Sequence, residues 1–112
     1  MAESAQDAEV DRALRALADA NRRSILSTIR ETALPVGELA ASVGLSQQTT
    51  SHHLGVLRDA GLVSESRQGR RHLYAVNSDG FAATRDYLEG FWPGKLAALR
   101  DAVESGRKRD HA

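Results

Sequence analysis

Gln47, Gln48, Ser51 and His52 are hydrogen-bonding side chains spaced i, i+1, i+4 and i+5 in the middle of a 112-residue chain. On a helix this spacing puts them on one face. All four are of a size that reaches base edges in a DNA major groove, where Gln can pair bidentately with adenine and Ser tolerates any base. An ordinary solvent-facing helix favours Glu, Lys and Arg, so short uncharged polar groups here are a specific signal. Gln48 and His52 are expected to meet bases. Ser46, Gln47 and Ser51 suit phosphates equally well, and Thr49 belongs to the same surface. A second set, Arg67, Arg70 and Arg71, flanks Gly69 and suits phosphate or minor-groove contact. Arg58 can either pair with Asp59 or another neighbouring acid, or reach phosphate. Arg22 and Arg23 are placed so that one of them could touch the backbone.

Other chemistry finds little footing. His53 follows His52, but adjacent helix residues point about 100° apart, so the two do not converge on one ion. His53 falls on the apolar face and reads as a hydrogen-bonded core histidine. Ser51 beside His52 is no triad, because neighbouring helix side chains diverge and no buried acid is implied. There is no Cys, hence no disulfide and no thiolate ligand. No Gly-rich phosphate loop or zinc-protease motif occurs. No catalytic residue, cofactor or metal is expected.

These residues need elements to hold them. Val10, Leu14 and Leu17 share one face of a first helix over Asp7 to Asp19. Asp19 or Asn21 can cap a second, carrying Ile25, Leu26 and Ile29 to about Thr32. After Pro35, Leu39, Ala40 and Val43 face inward on a short third helix, and Gly44 suits the left-handed conformation past its end. Ser46 caps a fourth helix to Ala60, with Thr50, His53, Leu54 and Leu57 as its apolar face. Leu62–Arg67 and Arg71–Val76 read as strands joined by Gln68-Gly69-Arg70. From Asp79, the residues Phe81, Leu88, Trp92, Leu96, Leu99 and Val103 stay in helical phase across Pro93. One long helix kinked at Pro93, or two collinear pieces, is expected.

Charge follows the same division. Residues 1–19 carry a net of −3, residues 20–78 a net of +3, and residues 79–112 balance. The positive excess therefore sits where a phosphate backbone would lie. The N-terminus has no apolar run of a signal peptide, and no segment approaches a membrane span, so a cytoplasmic protein is expected.

The strings ALADANRRSIL, ELAASVGLSQQTTSHHLGVLRDAGLV and GRRHLYAV resemble the arsenical-resistance repressor (ArsR) family of winged helix-turn-helix regulators, over roughly residues 9–104. The resemblance implies a dimer built on the first and last helices, and a repressor that leaves its operator on a signal. Metal-sensing members place cysteines where this chain has Val36-Gly37-Glu38-Leu39-Ala40, or His with acids in the last helix, whereas residues 80–104 contain no His. The closing FWPGKLAALRDAVE resembles members without a metal site. Position 55, often basic in relatives, is Gly55. Position 52, often Arg or Gln, is His52, a titratable donor.

The apolar stripe Phe91, Trp92, Leu88, Leu96, Leu99 and Val103 has too small a domain body to cover it, so a homodimer interface shared with Leu14 and Leu17 is expected. The whole reads as a mainly α fold with a small β-hairpin. Residues 1–6 are expected to be disordered, 7–105 to form a winged helix-turn-helix domain whose residues 79–105 are the dimerisation helix, and 106–112 to fray. The function it suits is a non-enzymatic repressor that binds double-stranded DNA at a near-palindromic operator as a homodimer. It has no membrane partner, does not sense metal, and answers to an effector the sequence leaves unnamed. A winged-helix module that binds protein, and a metal-responsive repressor, are the alternatives; salt-dependent DNA binding and metal titration separate them.

Overall fold

Capping decides where the helices begin. The computed structural model describes residues 4–110, with the side chains of all but Pro93, Lys95, Leu96, Ala97 and residues 107–110. Helix α1 spans Ala5–Leu17. Ser4 Oγ accepts from the Asp7 N–H at 3.1 Å and the Asp7 carboxylate accepts from the Ser4 N–H at 3.3 Å, a reciprocal capping box. The helix therefore takes in part of the 1–6 stretch expected to be disordered; residues 1–3 lie outside the described residues. It stops at Leu17, short of the expected Asp19, because Asp19 turns to cap α2 (Ala20–Thr28). Asp19 Oδ1 accepts from Asn21 N at 2.8 Å and Arg22 N at 3.1 Å. The Arg22 N–H, above all, holds the Asp19 carboxyl below its usual range, against an opposing loss of hydration.

Helix α3 (Val36–Val43) ends on Gly44 at φ 72°, a conformation glycine adopts without a Cβ clash. Helix α4 (Gln47–Asp59) starts directly afterwards, with Ser46 Oγ accepting from Thr49 N at 3.1 Å. Strands β1 (Val63–Gln68) and β2 (Arg71–Val76) pair antiparallel from Val63↔Val76 to Gln68↔Arg71. The connection is thus the two residues Gly69-Arg70, one fewer than expected. Only Gly69 has positive φ, at 62°, as a type II′ hairpin turn requires. Leu34 adds a bridge the sequence reading missed: its N–H donates to Tyr74 O at 3.1 Å and its carbonyl accepts from Tyr74 N at 2.9 Å.

The core gathers Ile25, Leu26 and Ile29 of the second helical segment, Leu39, Leu54 and Leu57 of α3 and α4, and Leu62 and Val63 at the root of the hairpin. Truncating one such fully buried leucine, for example Leu57→Ala, costs about 2–5 kcal/mol. The inward face of α1 is Val10, Ala13 and Ala16, with Leu17 half-buried, while Leu14 stays 40% exposed.

Of the two forms expected for the C-terminal part, a long helix kinked at Pro93 or two pieces, the structure has two pieces. A 3-10 turn (Ser78–Phe81) leads into α5 (Ala82–Glu89), and α6 (Pro93–Asp110) follows a break. Pro93 has no N–H to give the Glu89 carbonyl four residues back. Trp92 N takes that carbonyl instead, at 3.0 Å, and Phe91 N bonds Leu88 O at 3.1 Å, so the helix tightens and ends. Pro93 then opens α6, where its fixed φ suits the first helical turn. The helix continues to Asp110, through most of the 106–112 tail expected to fray; residues 111 and 112 lie outside the described residues. No helix among the described residues is long and apolar enough to cross a membrane.

Backbone-directed hydrogen bonds join this C-terminal part to the end of the helix-turn-helix. Asn77 Nδ2 donates to Gly61 O at 2.9 Å, and Asn77 N donates to Leu62 O at 2.9 Å. Gly80 lies so close that a Cβ there would sit 1.7 Å from Gly61 O. Both sides are backbone and cannot yield. Gly80→Ala should therefore lower stability by about 1–3 kcal/mol or more, read as a drop in thermal midpoint. An unchanged midpoint would show that the backbone can part at this point.

Candidate nucleic-acid interface

Helix α4 carries two faces with different jobs. Thr50 is fully buried and its Oγ1 donates to Ser46 O at 2.8 Å. His53, Leu54 and Leu57 complete the inward face, as their spacing predicted. His53 Nδ1 lies 3.4 Å from Arg22 Nη1. A guanidinium has only donors, so in this contact Nδ1 is the acceptor. The opposite face shows Gln47, Gln48, Ser51 and His52, all exposed. The rings of His52 and His53 diverge, with centroids 5.8 Å apart.

Within the exposed face the residues differ. Ser46 and Thr49 are engaged in the cap, Ser46 Oγ donating to Thr49 Oγ1 at 2.9 Å while it accepts from the Thr49 N–H. Gln47 folds back toward α3: a Cβ at Gly37 would stand 3.0 Å from its Nε2. Gln48, Ser51 and His52 form no side-chain hydrogen bond among the described residues. Gly55 has open space about its Cα, so no packing contact calls for glycine there.

The arginines separate into two groups. Arg22 and Arg23, considered for backbone contact, are committed to the C-terminal end of α1. Arg22 Nε donates to Ala16 O at 2.6 Å and Nη2 to Arg15 O at 3.1 Å, and Arg23 Nη1 donates to Leu17 O at 2.7 Å. Arg58 Nη1 meets Glu65 Oε2 at 3.3 Å, and Arg71 Nη2 meets Glu38 Oε1 at 3.2 Å. Arg67 and Arg70 are exposed and form no ion pair among the described residues. Glu65 and Glu38 are the residues the sequence reading passed over. The hairpin register places Glu65 diagonally across from His72, whose Nδ1 holds the other Glu65 oxygen. Reading the turn as three residues hid that register.

A second surface is apolar. Leu14, Tyr87, Leu88, Phe91, Trp92, Leu99 and Val103 are exposed, Trp92 by 47%. Tyr87 meets Phe91 edge-on at 5.2 Å between centroids. Of the stripe expected at the interface, Leu17 is half-buried, and the Leu96 side chain lies outside the described residues. Among the described residues no three His, Asp or Glu side chains stand together as metal ligands would.

A tri-helical core with a helix-turn-helix at α3–α4 and a basic two-stranded hairpin beside it defines a winged helix-turn-helix, the fold of DNA-binding transcriptional regulators rather than enzymes. A family model described as a helix-turn-helix domain matches residues 17–65. The HTH-type transcriptional regulator Rv2034 of Mycobacterium tuberculosis is 39% identical over 95 residues, covering 85% of this chain and 89% of its own length. The transcriptional repressor SdpR of Bacillus subtilis is 31% identical over 64 residues, covering 57% of this chain and 71% of its own. A homodimeric winged helix-turn-helix DNA-binding domain from Mycobacterium bovis, described as a possible ArsR-family regulator, superposes with a TM-score of 0.62 at 27% identity, covering 94% of this chain and 90% of that one. The chain belongs to the ArsR family of helix-turn-helix transcriptional regulators.

The Glu65 bridge is pH-sensitive in a defined direction. The hydrogen bond from His72 is the largest influence holding the Glu65 carboxyl below its usual range, loss of hydration opposes it, and Arg58 adds to the lowering. A folded-state pKa below the unfolded one gives stability that is present above the ordinary Glu range and is lost as pH falls through the lowered value. Urea unfolding across the acid range should show this loss in the wild type and a smaller one in Glu65→Gln. Identical acid profiles would mean the bridge contributes no pH-dependent stability.

Proposed function

We propose that the protein is a homodimeric repressor that binds a near-palindromic operator, with α4 in the major groove and the hairpin against the flanking backbone. The observation that carries this reading is the exposed trio Gln48, Ser51 and His52, set by a buried opposite face and without a side-chain hydrogen bond among the described residues. Gln48 and His52 read base edges; Ser46, Gln47, Thr49 and Ser51 serve backbone and register; Arg67 and Arg70 meet phosphate. Arg58 and Arg71 join them once they leave their carboxylates. Repression is the activity named for the Bacillus relative, and a helix held in an operator excludes other proteins from the same groove.

Pairing through α1, α5 and α6 would cover Leu14, Leu88, Trp92, Leu99 and Val103, with Leu17 and Leu96 in the same seam, and the Mycobacterium bovis neighbour is described as a homodimer. Two-fold pairing sets the reading helices about 34–36 Å apart, one turn of DNA, and so asks for a near-palindrome. The effector is proposed to be something other than a metal ion, since the stripe offers apolar side chains where ligands would be needed. Action in the cytoplasm follows from a DNA target.

Gln48→Ala should weaken operator binding by about 1–3 kcal/mol and relax base preference at one position of each half-site. If Gln48→Ala and His52→Ala both bind the operator with wild-type affinity and preference, α4 is not the reader. Leu88→Glu combined with Leu99→Glu should give a monomer by sedimentation and abolish operator binding with every DNA-facing residue intact. A dimeric double mutant that still binds would place the interface elsewhere. Titrating the wild-type complex with zinc, cadmium or arsenite should leave it on DNA; stoichiometric release would make it a metal sensor.

A further inference from the structure

The two ion pairs beside the reading helix raise a question that the family fold does not answer. Arg58 stands in the last turn of α4, seven residues and so two helical turns on from Ser51 of the proposed reading face, and Arg71 opens β2 beside the hairpin turn. Each is held by a carboxylate of its own chain: Arg58 by Glu65 at 3.3 Å, Arg71 by Glu38 at 3.2 Å. The partners are not local accidents. Glu38 and Arg71 are 33 residues apart and meet because α3 packs on β2, while Glu65 is fixed in place by His72 through its second oxygen. Both arginines remain more than half exposed, at 53% and 57%, and so stay within reach of a duplex.

We infer that Glu38 and Glu65 stand in for DNA phosphate, holding Arg71 and Arg58 in ion pairs that a fully seated duplex displaces, and so weaken the protein's hold on non-operator DNA. This rests on the interface proposed above. The chemistry is that of one donor fork and two rival anions. A guanidinium presents the same planar set of N–H groups to a carboxylate as to a phosphate. An arginine already paired adds little net charge to the approaching surface and releases few counterions from DNA. Exposed pairs are individually weak, so they yield once phosphates are brought to bonding distance. In a loose complex, with α4 not seated in the groove, the phosphates stay farther off and the carboxylates win. The arrangement is economical in sequence: residues 20–78 hold only four acids, Glu31, Glu38, Asp59 and Glu65, and two of them are these.

The test measures binding to a random-sequence duplex and to the operator over a salt series. Glu38→Gln and Glu65→Gln should each bind the random duplex several-fold tighter. Each should also steepen the slope of log affinity against log salt by about 1, one phosphate contact per released arginine. Operator affinity should rise less, so the ratio of specific to non-specific binding falls. Unchanged or shallower slopes overturn the proposal. Glu38→Gln must also lose its effect in the Arg71→Ala background; a gain that survives there is a general charge effect and equally overturns it. Glu31→Gln, an acid outside both pairs, should leave the slope unchanged, and a slope steepened as much as by Glu38→Gln would again mean a general charge effect. Should Glu65→Gln unfold, the Glu38–Arg71 cycle decides alone. If Arg58→Ala and Arg71→Ala leave all DNA binding unmoved, it is the interface that fails. If they weaken binding while the Gln variants do not steepen the slope, the interface stands and the counter-charge role falls.

Discussion

The Arg22 guanidinium holds three helices in register. Its Nε takes the carbonyl of Ala16 at the end of α1, and its Nη2 takes that of Arg15, which also accepts from the Ala18 N–H at 3.3 Å. Its Nη1 faces His53 of α4 at 3.4 Å and Asp19, the cap of α2, at 4.0 Å. One half-buried cation thus closes the end of one helix, steadies the start of the next and fixes the buried side of the helix proposed to read DNA. A partly buried polar cluster of this kind is most favourable when every member is satisfied. Here the donors and acceptors match because His53 accepts, so the face opposite is aimed by a hydrogen-bonded network as well as by apolar packing.

That fixed inward face gives the outward one its freedom. Thr50, His53, Leu54 and Leu57 determine the roll of α4 about its axis, and Gln48, Ser51 and His52 then point outward without contributing to the core. The proposed base contacts can therefore change at these positions with little effect on folding. The hairpin is anchored at its root by buried Val63 and Leu73 and by the Leu34–Tyr74 bridge, while exposed ion pairs hold its outer part.

The helix-turn-helix was legible in the sequence because its signals are local. Ser46, the apolar positions of α4 and Gly44 each act within a few residues, and the structure repeats them with little shift. Periodicity left the C-terminus open between a kinked helix and two pieces, since it reports the phase of side chains and not the continuity of backbone. Phe81, Leu88 and Trp92 stay in phase although Pro93 interrupts the bonding between α5 and α6. The partners of Arg58, Arg71 and Arg22 were hidden for another reason. Glu38 lies 33 residues from Arg71, and only the packing of α3 on β2 brings them together. Charge arithmetic along the chain counted these arginines as available when tertiary contacts had already engaged them. The proposed interface residues of α4 could be read from the sequence, whereas the state of the basic residues around them required three dimensions.

The two-residue turn at Gly69-Arg70 also limits how this lineage can vary its reach. With Gln68 paired to Arg71, any lengthening must add residues to both strands in step or the pairing breaks into a bulge. A single added pair would turn the tip arginines onto the opposite face of the ribbon, because successive side chains alternate. Only two added pairs restore the present orientation, which extends the hairpin by about 7 Å. Wing length is therefore a stepped quantity, and related proteins that share this turn should differ in span by whole steps or not at all.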